Sequence, residues 1–182
     1  PWEVVALEVN SLPTSVGPDG TIMGYQMHPE TNRDIWTYSP GGELTMLLDT
    51  RHNERAGAIS PDGTLFAYVS DEEGSDDVYL RTLPDAGRQW RVSSSGGSAP
   101  VWSRDGSQLF YRDGEAINVS SIGGSGASLR IGEPEEHFRA EGLYFDHFGN
   151  PSFDVAPDGS MILLLTEPSN VRTRVVLNFD PK

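Results

Sequence analysis

Gly17-Pro18-Asp19-Gly20, Ser60-Pro61-Asp62-Gly63, Ser103-Arg104-Asp105-Gly106 and Ala156-Pro157-Asp158-Gly159 are four copies of one corner. Their aspartates stand 43, 43 and 53 residues apart, a regularity that marks an internal repeat. Proline presets φ at the second position, aspartate reaches backbone amides from the third, and glycine accepts the left-handed conformation at the fourth. Asp19, Gly20, Asp62, Gly63, Asp105, Gly106, Asp158 and Gly159 are therefore read as the structural residues of four hairpin turns.

An apolar run suited to a strand follows each corner: Thr21 to Tyr25, Thr64 to Val69, Ser107 to Tyr111 and Ser160 to Leu165. A second run follows a polar loop in each copy, at Asp34 to Tyr38, Asp77 to Leu80, Ala116 to Val119 and Arg174 to Leu177. Several short strands recurring with a period in the forties predict an all-β chain, a β-propeller with four blade repeats of four antiparallel strands. A single blade buries neither of its faces, so neighbouring blades must stack.

These residues resemble a known family. The pattern Ser-Pro-Asp-Gly, apolar strand, polar loop, Asp-Val-Tyr is similar to the WD-repeat-like propeller repeats of TolB and its relatives. The stretch Asp77-Val78-Tyr79-Leu80-Arg81-Thr82-Leu83-Pro84, with Gln89-Trp90-Arg91-Val92-Ser93, Gly96-Gly97, Pro100-Val101-Trp102-Ser103 and Leu109-Phe110-Tyr111, resembles the C-terminal propellers of bacterial membrane-anchored serine/threonine kinases. The resemblance covers nearly the whole chain. It implies a propeller fold and an extracytoplasmic bacterial location, in the periplasm or at the cell surface. Its motifs are structural and recur in sensors, scaffolds and the propeller portions of peptidases, so it does not fix an activity.

The expected blades span residues 11–48, 56–93, 99–131 and 152–179 of a single domain, 1–182. Residues 3–9 are an extra strand of high β-propensity, and the fourth copy lacks an outer strand. Pairing the two would close a small ring and remove two exposed edges. The other reading is part of a larger propeller, six blades being usual in TolB-like relatives, with the open edges shared between chains as a homo-oligomer.

The 182 residues carry a net charge of −14, from 27 acidic and 13 basic side chains, of which only Lys182 is lysine. Such a surface repels phosphate backbones and anionic lipid, which argues against nucleic acid as a partner. Apolar runs are too short to span a bilayer, so no membrane insertion of this segment is expected. The absence of cysteine excludes disulfides and thiol catalysis. The chain starts at Pro1, which suggests a piece of a longer polypeptide.

The densest charge run, Asp71-Glu72-Glu73-Gly74-Ser75-Asp76-Asp77, lacks the spacing of a helix-loop-helix calcium loop and reads as a solvated hairpin tip. His137 and His147, ten apart in a long connection, lack helical ligand spacing, so neither metal nor cofactor is expected. Gly123-Gly124-Ser125-Gly126-Ala127 fails the nucleophile-elbow pattern at its last place and has no phosphate-loop lysine. With no catalytic residue assigned, the reading leans toward a non-catalytic interaction or sensor module that binds a protein or small ligand at one mouth of the ring. The alternative is a hydrolase, or the propeller portion of a peptidase whose catalytic domain lies elsewhere. Long loops on rigid repeats carry binding, so the candidate contacts are the connections from outer to inner strands. They are Arg51, His52, Asn53, Glu54 and Arg55, then Ser98, then Glu136, His137, Arg139 and His147.

Overall fold

The computed structural model describes residues 10–144, 146, 149–167 and 170–179, with side chains up to 165 in the last stretches. Four antiparallel sheets follow one another along the chain, each meandering outward from an inner strand. The first holds β1 (Ser11–Val16), β2 (Ile22–His28), β3 (Asn32–Tyr38) and β4 (Leu44–Leu48) in sequential order. The second repeats it with β5 (Arg55–Ile59), β6 (Leu65–Ser70), β7 (Asp77–Thr82) and β8 (Gln89–Arg91). The third has β9 (Ser98–Trp102), β10 (Gln108–Asp113) and β11 (Ala116–Gly123), with β12 (Arg130–Ile131) and β13 (Glu135–Arg139) both on its outer side. The fourth shows β14 (Phe153–Val155), β15 (Met161–Glu167) and β16 (Asn170–Phe179). The proposed closing strand 3–9 lies outside the described residues.

Each repeated corner joins the inner two strands of a sheet, as its chemistry requires. In the second copy Gly63 takes φ 73° and its N–H donates to Ser60 O at 2.9 Å. Asp62 accepts from Thr64 N and from the Ser60 hydroxyl, while Ser60 Oγ also accepts from Leu65 N. The third corner has the same bonds through Asp105, Ser103 and Ser107. The Ser107 amide, followed by the Ser103 and Ser107 hydroxyls, holds the Asp105 carboxyl down at about 2.

Stacking explains why the second strands read as unbroken apolar runs rather than alternating ones. Successive β6 residues face opposite sides. Phe66 and Tyr68 join Met23, Ile35, Leu48 and Tyr79 in a core between the first and second sheets. Leu65, Ala67 and Val69 join Trp102, Leu109 and Tyr111 between the second and third. A third cluster places Phe110, Ile117 and Phe138 against Phe153, Met161 and Leu163 of the fourth. Inner strands are also tied directly: Thr14 Oγ1 donates to Gly57 O at 2.6 Å, Ile59 N to Ser15 Oγ at 3.0 Å, and Trp102 Nε1 to Ala58 O at 2.9 Å.

One expected element is corrected. The sequence reading ends the third blade at residue 131 and puts His137 and His147 in a long connection beyond it. Only Arg130–Ile131 pairs there, and Glu135–Arg139 continues the edge along the first half of β11. Gly132 and Pro134 break the outer strand into two pieces, and the buried Phe138 anchors the second in the third core cluster. Part of the longer spacing before the fourth corner therefore completes a blade.

Candidate functional site

Because strands alternate in direction, the outer-to-inner connections and the hairpins β2–β3, β6–β7 and β10–β11 gather at the mouth opposite the repeated corners. The connection after β4 is tied to the hairpins of both neighbouring blades. Glu54 N donates to Arg33 O at 2.8 Å, and Arg33 Nη1 donates to Asn53 Oδ1 at 3.1 Å, so the segment is pinned to the hairpin of the first blade. Asp71 accepts from Asn53 N at 2.9 Å and lies 3.8 Å from His52 Nδ1, which pins it to the hairpin of the second. Arg51 is exposed and stands beside His52.

Glu54 and Arg55 are both buried, at 3% and 6% exposure. Arg55 opens β5 just before Ala56, whose φ of 53° is uncommon for a residue with a side chain. The register of β5 against β6 slips at this point. Arg55 Nη2 pairs with Asp76, whereas Nε and Nη1 are buried with no hydrogen-bond partner among the described residues. Gly149 packs on this guanidinium: a Cβ there would lie 2.9 Å from Arg55 Nε, so only glycine leaves the arginine its room. Glu54 accepts from Thr50 Oγ1 through Oε1 at 2.5 Å, and its Oε2 is buried without a partner among the described residues. Buried polar groups of this kind each carry a desolvation cost until a partner or a water meets them.

Burial pushes the Glu54 carboxyl up to about 7, and Asp34 and Asp71 push in the same direction against the Thr50 hydrogen bond. The folded-state value thus exceeds the unfolded one. As pH rises from about 4.5 to about 7 the unfolded chain releases this proton while the folded chain keeps it, so stability falls and then levels off. Glu54→Gln is expected to remove that decline, stabilising the chain at pH 8 relative to pH 5 by roughly 2–3 kcal/mol compared with the parent. Urea midpoints for both proteins across that pH range measure it; parallel profiles would contradict the assignment.

The predicted binding set divides in three dimensions. Residues 51–55 lie together at the mouth, with Arg33, Asp71, Asp76 and Gly149 beside them. His137 and Arg139 sit on β13 at the outer edge of the third blade. Arg139 pairs with Glu136 at 2.6 Å in solvent. The His137 ring stands edge-on to Phe110 with centroids 5.4 Å apart. Ser98 pairs with Arg112 at the start of β9, and His147 lies outside the described residues. The acidic run 71–77 is not a free tip. Asp71 and Asp76 serve the mouth, and buried Asp77 accepts from Arg91, Ser93 and Gly96. Among the described residues no group of three or more His, Asp or Glu is arranged to hold a metal ion.

No protein-family model and no curated protein matches the sequence. Solved structures do match. A structure assigned as TolB from Agrobacterium tumefaciens aligns with a TM-score of 0.59 at 18% identity, over 84% of this chain and 57% of its own. The chain has a TolB-like β-propeller fold. Oligogalacturonate lyase from Vibrio parahaemolyticus aligns with a TM-score of 0.61 at 13% identity, over 96% of this chain and 53% of its own. A structure assigned as a gluconolactonase gives 0.58 at 14%, over 90% and 58%. The chain thus spans little more than half the length of the propellers it matches, and at these identities the likeness shows the fold alone. Among the described residues no helix is long and apolar enough to cross a membrane.

Proposed function

We propose that this TolB-like propeller chain is a non-catalytic interaction module whose mouth around residues 50–55 receives an anionic group of a protein or small-molecule ligand on Arg55. The observation that carries the reading is the Arg55 guanidinium, buried with Nε and Nη1 unpaired among the described residues in a chain of net charge −14. A guanidinium screened from water binds an oxyanion more strongly than an exposed one, and each of these N–H groups can donate to an oxygen of an anionic ligand. The extracytoplasmic location, and kinship with kinase-attached propellers, belong to the same proposal and rest on the sequence resemblance.

Titrating the full chain with malonate, followed by amide 1H–15N spectra, tests this reading. Shifts are expected at residues 50–56 and 71–77 in the parent and are lost in Arg55→Met. No shift in the parent, or unchanged shifts in the variant, would remove the proposal. Glu54 favours a second reading as a hydrolase, because a buried carboxyl titrating near neutrality suits general acid–base work. That reading requires turnover of an ester or peptide panel and its loss in Glu54→Gln.

A further inference from the structure

The third corner departs from the other three in one residue. Where Pro18, Pro61 and Pro157 stand, it has Arg104. The turn is nonetheless built the same way, with Gly106 N donating to Ser103 O at 3.0 Å and Gly106 at φ 72°. Arg104 contributes nothing to it: the side chain is in neither a hydrogen bond nor an ion pair among the described residues, in a chain with 27 acidic side chains. The adjacent Asp105 carboxylate is occupied by the Ser103 hydroxyl and by the amide and hydroxyl of Ser107.

Arg104 instead lines two adjoining cavities on this corner face, opposite the mouth. One, of about 420 Å³, lies between the third and fourth blades and is walled by Phe110, His137, Val155 and Pro157, with Gln108 beside them. The other, of about 560 Å³, opens toward the inner strands beside Trp102 and Asp154. Both volumes fall in the range of small-molecule sites, which combine apolar walls with a few polar groups. In the second cavity the nearby Asp154 carboxylate opposes an anion, and its Oδ1 accepts from Val155 N at 2.8 Å. The first cavity is also lined by Asp105, whose carboxylate is turned to the hydroxyls of Ser103 and Ser107 and the Ser107 amide, which leaves Arg104 as the charge with no partner among the described residues.

We infer that the cleft between the third and fourth blades is a second binding site, taking a small carboxylic acid with an apolar body. The carboxylate is held by Arg104, with the Gln108 side-chain amide as a further donor. The body packs against Phe110, His137, Val155 and Pro157. This site is separate from the Arg55 mouth, and its chemistry needs no atom of that mouth.

Calorimetric titration of the full chain with benzoate and its neutral counterpart benzamide tests the inference, with amide spectra to locate the ligand. Benzoate is expected to bind roughly tenfold more tightly than benzamide, the scale of one charge-assisted carboxylate contact. Its shifts should fall at residues 103–110, 137 and 155–159. Arg104→Pro restores the residue of the other three corners, so it should melt no lower than the parent and bind benzoate no better than benzamide. Arg104→Gln, which leaves the turn's proline question aside, should lose the same preference. The inference is overturned if benzoate fails to bind, if benzamide binds equally well, if the shifts fall at residues 50–56, or if either variant keeps the preference for benzoate.

Discussion

Asp77→Ala is expected to lower the stability of this chain by about 2–4 kcal/mol, the range for leaving a part-buried amide and a buried hydroxyl without their acceptor. Asp77 is fully buried where β7 begins, and its carboxylate gathers three strong donors: Ser93 Oγ at 2.7 Å, Arg91 Nη2 at 2.9 Å and Gly96 N at 3.1 Å. Ser93 Oγ in turn accepts from Val78 N at 2.9 Å, so one side chain ties the start of β7 to the segment that leads from β8 to β9. Alanine leaves the Gly96 amide and the Ser93 hydroxyl without their acceptor inside the second blade. Asp77→Asn keeps one acceptor oxygen and loses the charge, and should fall between parent and alanine variant. Urea midpoints of the three proteins measure the effect; an alanine variant within 1 kcal/mol of the parent would show that the network is incidental.

Gly24→Ala is expected to cost roughly 2–4 kcal/mol, through overpacking rather than backbone conformation. Gly24 sits mid-strand in β2, where a Cβ would run into the backbone oxygen of Leu12 and the buried indole of Trp36, whose Cε2 lies 2.8 Å from the added atom. Neither neighbour is the free end of a flexible chain. Gly57 makes a useful contrast, because its added Cβ would meet the thioether of Met23 at 2.6 Å, and methionine can re-pack. The larger loss should therefore come at Gly24, and thermal unfolding of the two alanine variants compares them directly. Equal losses would contradict the packing described around Trp36.

Most of the fold was legible because its punctuation is local. Proline, aspartate and glycine at one corner specify a tight turn without reference to distant residues, and each corner does join the two inner strands of a sheet. The apolar runs after the corners were equally readable, since strands covered on both faces need no polar alternation. The third blade's outer edge was not readable, because Gly132 and Pro134 look like loop residues and nothing local shows that Phe138 reaches the core beyond them.

The site was legible only as a segment. Residues 51–55 were found because long connections face a mouth, but the partners that give them character come from elsewhere in the chain. Arg33, Asp76 and Gly149 lie 22 residues before, 21 residues after and 94 residues after Arg55. Asp71 and Asp76 looked like solvated charge because a sequence cannot show that a basic connection folds back onto an acidic hairpin. The sequence groups His137 with this mouth as part of a connection from an outer to an inner strand, whereas strand pairing puts it on an outer edge and beside the Arg104 cleft.

The melting temperature of Arg55→Met without ligand tests most directly the claim that Arg55 is kept for binding rather than for folding. Methionine retains the apolar stem, removes a buried cation with two nitrogens unpaired among the described residues, and leaves its partner Asp76 half-exposed to water. The account predicts a midpoint about 2–4 °C above the parent, as for a gain near 1 kcal/mol in a chain of this size, together with the loss of malonate binding. A fall of several degrees would contradict it, and would make Arg55 a structural residue of the second blade.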